Sequence, residues 1–245
     1  MRVLVVLLCI IHYVYGENCL VPPDANGHVS AQNLTDAGVT TKIGGMVQNP
    51  NTGVPMPDNG FFQCTALKSI EIPTTVTEIG YAAFFGTAFT SVTIPSSVTE
   101  IGDYAFQGSG LTSVVIPSSV TEIGLNAFRG AALTSIDFSG ATSLETIGGA
   151  AFQGSGLTSV VIPSSVTEIG AAAFKDTPLA TATLSVCTAT TGNNAFPSTT
   201  HLNKVFTQSC LQHYLSQGIV AADILTHFSA GELAAAYRVK GNCPA

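Results

Sequence analysis

Apolar positions along this 245-residue chain recur on a long period of about 22 residues, not on the short periods of a lone helix or strand. The segment Leu111-Thr-Ser-Val-Val-Ile-Pro-Ser-Ser-Val-Thr-Glu-Ile-Gly returns at Leu157 almost letter for letter. Weaker copies start at Leu67, Phe89, Leu133, Leu179 and Leu202, so successive starts lie 22, 22, 22, 24, 22 and 23 residues apart. Within a copy, Leu111, Val114 and Ile116 form a first apolar group, with polar residues between them. Pro117 ends it, because proline cannot donate to a β ladder. Val120, Ile123 and Phe128 bring apolar side chains back to the interior along the far side of the coil, and Gly124 and Ala127 are small where the chain must turn or pack closely.

The spacing of Leu111, Val114 and Ile116 is that of a leucine-rich repeat strand. The predicted fold class is therefore an α/β repeat, a leucine-rich repeat solenoid. Short parallel strands line its concave face, about 4.8 Å apart. The convex side is expected to be irregular or built of short helical returns, with a helical cap at the C-terminus. A single coil cannot bury its apolar face, so stability has to come from stacking. The most regular column is Phe84, Phe106, Phe128, Phe152, Phe174 and Phe196, which reads as an internal spine in preference to a binding platform.

One copy departs from the pattern. Leu133 to Gly156 carries two extra residues after Phe138 and lacks the proline. Its glutamate falls at Glu145, out of line with Glu78, Glu100, Glu122 and Glu168. A bulge at the edge after the strand is expected, with a selected binding feature as the alternative.

The columns I-P-x-x-V-T-x-I-G-x-x-A-F followed by L-T-S-V resemble the BspA-like leucine-rich repeat family over about residues 67 to 200, with a degenerate first coil at Val39 to Ala66. Where that family often has Cys after the Phe, this chain has Gly86, Gly108, Gly130 and Gly154, and Cys64 alone follows the family habit. The resemblance implies an extracellular or cell-surface protein of adhesion or recognition, with no cofactor and no catalytic residues to carry over.

The ends read differently from the middle. Arg2 followed by the apolar run Val3 to Ile11, with Val14 and Gly16 before a cleavage point, is the layout of a secretory signal peptide over residues 1–16. Residues 17–66 are expected to form an N-terminal cap with the degenerate first repeat, including an inserted loop around Asn49 to Asn59; the solenoid spans 67–208, and 209–245 forms a helical C-terminal cap. There Val220 to Phe228 and Ala230 to Val239 read as short helices, with Ser229 and Glu232 as a capping box.

Charged residues make up only 9% of the chain and the net charge is −7. No basic stripe exists for nucleic acid, and no basic cluster for anionic lipid. The sequence shows no catalytic motif, and the Gly-Ser-Gly triplets at 108–110 and 154–156 are turn chemistry. The histidines lie outside the regular repeats without metal-ligand spacing, and one carboxylate per coil is too few for calcium.

Secretion makes disulfides reasonable. Cys187 and Cys210 occupy one column of adjacent coils, with Cys210–Cys243 as the rival pairing, and Cys19–Cys64 would staple the N-terminal cap. Asn33-Leu-Thr35 is a glycosylation sequon if the chain passes through a eukaryotic secretory pathway.

The expected ligand-binding residues are the outward positions of the concave strands: Ser91, Thr93, Ser113, Val115, Ser135, Asp137, Ser159 and Val161. The expected partner is an extracellular protein or glycan, with no enzyme activity, no metal and no membrane insertion. The alternative is a structural or ice-facing solenoid using hydroxyl columns such as Thr90, Thr112, Thr134 and Thr158.

Overall fold

The computed structural model describes residues 23–26, 28–36, 42–44, 46–48, 55–57, 60–185 and 190–205. The expected signal segment 1–16, Cys19, Cys187, Cys210, Cys243 and the expected C-terminal helical cap lie outside them.

The chain winds as a parallel β-solenoid, and each coil contributes to two ladders. The first is the leucine-rich repeat strand. His28–Val29 pairs with Ser69–Ile70, Ser113–Val115 with Ser135–Asp137, and Ser159–Val161 with Thr181–Ser185, which in turn pairs with His201–Val205. The second ladder is longer: a seven-stranded parallel sheet of two-residue strands. It runs through Lys42–Ile43, Glu78–Ile79, Glu100–Ile101, Glu122–Ile123, Thr146–Ile147, Glu168–Ile169 and Thr190–Thr191. Each isoleucine in it is fully buried, while the residue before it points outward.

Between these two-residue strands the far side consists of turns, in keeping with the expected irregular or short helical return. Among the described residues the one helix is Ala31–Asp36, near the N-terminus. The returning segment is too short and too closely stacked to coil into a helix. Its backbone groups are satisfied by the neighbouring coil instead, for example Gly102 N–H to Ile79 C=O at 2.7 Å and Phe106 N–H to Ala127 C=O at 2.7 Å.

Thr146 takes the place of a glutamate in this second ladder, paired with Glu122 on one side and Glu168 on the other. Glu145 is thus displaced by one position, as the spacing predicts.

The glycine that follows each buried isoleucine lets the coils approach. A Cβ added at Gly148 would lie 2.5 Å from the carbonyl carbon of Gly124, and one at Gly170 would lie 2.7 Å from that of Gly148. Beyond the glycine the chain turns through a left-handed residue: Ala82, Tyr104, Asn126, Ala150, Ala172 and Asn194 all have φ between 51° and 60°. Asparagine tolerates this region; for alanine and tyrosine it is a strain the stacked ladder overrides.

The phenylalanine column lies in the core as a file of stacked rings. Centroids from Phe84 through Phe106, Phe128, Phe152 and Phe174 to Phe196 are 5.1–5.3 Å apart, with interplanar angles of 4–19°. Phe61 extends the file into the first coil, 5.7 Å from Phe84. In that coil the chain leaves between Gly44 and Gly60, where Met46–Gln48 pairs antiparallel with Pro55–Pro57 in a hairpin. Of the inserted loop expected around Asn49 to Asn59, only Pro55–Pro57 lies among the described residues.

Candidate functional site

All eight residues expected to bind ligand are exposed. Their register sets them in two outward rows. Ser113 lies beside Ser135, Val115 beside Asp137, and Val161 beside Thr183. Val115 and Val161 are 59% and 67% exposed, the most open of the large apolar side chains among the described residues, on a face otherwise made of hydroxyls and Asp137. Ser91 and Thr93 follow the same rows without forming a strand, though Thr112 N–H still reaches Thr90 C=O at 2.9 Å.

The first ladder is interrupted between Ser135–Asp137 and Ser159–Val161, which do not pair. This is where the irregular copy carries its two extra residues. A recess of about 680 Å³ opens at the break. Ile136–Ser139, Ala141 and Thr142 line one side, and Ser159–Ser165 with Thr183 line the other. Asp137, Ser159 and Val161 from the predicted set border it, whereas Ser139, Thr142, Ser164 and Ser165 were not anticipated. The 24-residue step and the missing proline were the available signal, read as a bulge; the side chains that would meet there were not legible from spacing.

Asp137 accepts the backbone N–H of Ser139 at 2.7 Å. That bond, together with the Ser139 side chain, holds its carboxyl below the ordinary range, so it is ionised at neutral pH.

The remaining predicted positions lie elsewhere. Asn33 is exposed at the start of the short helix, where its Oδ1 accepts from the Ser30 N–H at 3.1 Å while Ser30 Oγ accepts the Asn33 N–H at 3.2 Å. Asparagine here plays the part usually taken by Glu or Gln in a capping box. Cys64 is buried and is not a free thiol.

On the second ladder Lys42 pairs with Glu78, and Glu100 stands between Glu78 and Glu122. Partial burial, and then repulsion from Glu78 and Glu122, raise the Glu100 carboxyl above 4.5. The folded state therefore holds that proton more tightly than the unfolded chain. The contribution of Glu100 to stability is greatest below pH 4.5 and falls as pH rises through the raised folded value. Glu100→Gln is expected to raise Tm by about 1–2 °C near neutral pH, a gain that shrinks towards zero around pH 4. Thermal melts of both proteins at the two pH values check this. Among the described residues no group of three or more His, Cys, Asp or Glu is placed to hold a metal ion, and no helix is long and apolar enough to cross a membrane.

Coils of this period, with parallel ladders and a buried file of equivalent side chains, define a leucine-rich repeat solenoid. The chain belongs to the family of BspA type leucine rich repeat regions, whose model matches in six copies over residues 47–143 and 126–229.

Among solved structures, a leucine-rich repeat protein from Eubacterium ventriosum ATCC 27560 is 28% identical, with 42% of this chain and 27% of that chain covered and a TM-score of 0.39. One from Bacteroides ovatus ATCC 8483 is 21% identical, with 59% and 62% covered and a TM-score of 0.30. A leucine rich cell surface protein from Faecalibacterium prausnitzii A2-165 is 23% identical, with 62% and 57% covered and a TM-score of 0.23. The chain spans less than two thirds of each of these proteins. No curated protein matches it.

Proposed function

We propose that this protein is a secreted or cell-surface recognition module that binds an extracellular protein or glycan through the Ser-x-Val face, without catalysis. The observation that carries the reading is the exposure of Val115 and Val161 in an outward row with Asp137 and Thr183, beside a row of small hydroxyl residues. Each coil has already filled its interior, so these valines contribute nothing to the core and stand where a partner could cover them. The family assignment and the signal-like N-terminus support a location outside the cell. The Cys19–Cys64 staple and the Cys187–Cys210 or Cys210–Cys243 bridge belong to the same proposal, as does modification of Asn33.

The face has few charges, so affinity would rest on shape and on hydroxyl hydrogen bonds more than on steering. The ice-facing alternative is less well supported. The Thr112 and Thr134 hydroxyls donate along their column to the neighbouring coil, to Thr90 C=O at 3.1 Å and Thr112 C=O at 3.3 Å, and do not form an array of free donors.

A glycan array and a panel of extracellular-matrix proteins, probed with the mature chain, identify the ligand class. Val115→Lys with Val161→Lys is expected to weaken the selected ligand about tenfold or more while shifting Tm by no more than a few degrees, because both side chains are exposed. Unchanged binding by the double variant moves the site off this face.

A further inference from the structure

We infer that the recess at the irregular coil is the specificity-determining subsite of this face, and that it takes a Lys or Arg side chain carried on an extended peptide. The inference rests on the recognition reading above and names its partner.

The first support is the backbone. At the Leu111–Leu133 and Leu157–Leu179 junctions the leucine-rich repeat strand is tied to its neighbour at both ends, at the Phe89–Leu111 junction at one end and at the Leu67–Phe89 junction at neither. Thr112 N–H bonds Thr90 C=O, Thr134 N–H bonds Thr112 C=O and Ala180 N–H bonds Thr158 C=O, each at 2.9 Å. At the other end Ile116 N–H bonds Asp137 C=O at 2.9 Å, and Ile162 N–H bonds Thr183 C=O at 2.7 Å. The corresponding bonds at the irregular junction, Thr158 N–H to Thr134 C=O and Phe138 N–H to Val161 C=O, do not form among the described residues. Phe138 and Val161 both line the recess. A main-chain donor and a main-chain acceptor are thus left there without each other, which is the pairing chemistry an extended peptide brings.

The second support is charge. Asp137 is the one ionic residue of the lining, and no Lys, Arg or His accompanies it. Its Oδ1 accepts the Ser139 N–H, and an ionised carboxylate has further lone pairs with which to accept from a ligand. The rest of the lining is hydroxyls and aliphatic surface, with Val161 the most exposed apolar side chain of the face. A cationic side chain meets both features, its stem on Val161 and its head on Asp137. A sugar is less well served, because the one aromatic ring of the lining, Phe138, is only 5% exposed and is turned edge-on to Phe152 inside the core.

The test is a randomised heptapeptide library selected on the full mature chain, followed by titration of the selected peptides at low and moderate salt. We expect selection of Lys or Arg at one position and an affinity that falls with salt. Asp137→Asn should lose at least about tenfold in affinity with an unchanged melting temperature, since an amide oxygen can still accept the Ser139 N–H. Val115 lies outside the recess lining, so Val115→Lys separates the two claims. If Val115→Lys weakens binding and Asp137→Asn does not, the face binds but the recess is not the subsite, and the inference fails alone. If neither variant changes binding, the recognition reading falls with it. Selection of neutral or acidic peptides, or binding of neutral oligosaccharides in place of peptides, also overturns the assignment.

Discussion

Phe128→Ala is expected to destabilise the protein by about 3–5 kcal/mol, the usual range for deleting a buried aromatic side chain. Phe128 is fully buried and lies between Phe106 at 5.1 Å and Phe152 at 5.3 Å, nearly parallel to both. Its removal opens a void in mid-rod and ends both stacking contacts, each of which adds roughly 0.5–1.5 kcal/mol beyond burial. The position matters as much as the residue. Because each coil is stabilised by its neighbours, a weak interface in the middle uncouples the two ends. Chemical denaturation followed by far-UV circular dichroism should show an earlier midpoint and a broader transition. Phe196→Ala, at the half-buried end of the file and stacked on Phe174, should cost clearly less. Equal losses at the two positions would contradict the spine.

The second large effect is expected at a residue with no side chain. Gly148→Ala places a Cβ 2.5 Å from the carbonyl carbon of Gly124 and 2.7 Å from both its oxygen and the nitrogen of Leu125. All three are backbone atoms held in the longer ladder, so no rotamer change relieves the clash. The coils must separate, at a cost at or above the top of the roughly 1–3 kcal/mol range for overpacking. Gly130 is the control. It has φ +62° and nothing within 4 Å of an added Cβ, so Gly130→Ala meets backbone strain alone, on the order of 1–2 kcal/mol. Urea midpoints for the two variants should therefore differ, with Gly148→Ala the lower. The reverse order would show that local conformation, and not coil contact, limits these glycines.

These predictions draw unequally on what could be read from residue order. The Phe84 to Phe196 column was legible because a buried side chain must recur at the coil period to meet its equivalents. Phe61 was missed because the hairpin excursion between Gly44 and Gly60 breaks the count. The glycines were legible as small residues, but not as contacts with one another, since that depends on how closely the coils approach. On the face of the leucine-rich repeat strands, alternation along the strand predicted the outward residues, and all eight are exposed. The recess was not predicted, because Ser139 and Thr142 meet Ser164 and Ser165 only across a junction, twenty or more residues apart in sequence.

The chain's order of residues by itself determined the stacked coil, the buried isoleucine and phenylalanine columns, and the one coil that is out of step. Each follows from repetition, because identical segments bury themselves only by lying in register. Tertiary structure alone decided that the two-residue strands of the far side, and not the leucine-rich repeat strands, form the unbroken sheet, and that a recess opens at Asp137 beside the two surplus residues. Both outcomes turn on whether backbone donors and acceptors of successive coils come within bonding distance, a spacing that no single coil encodes.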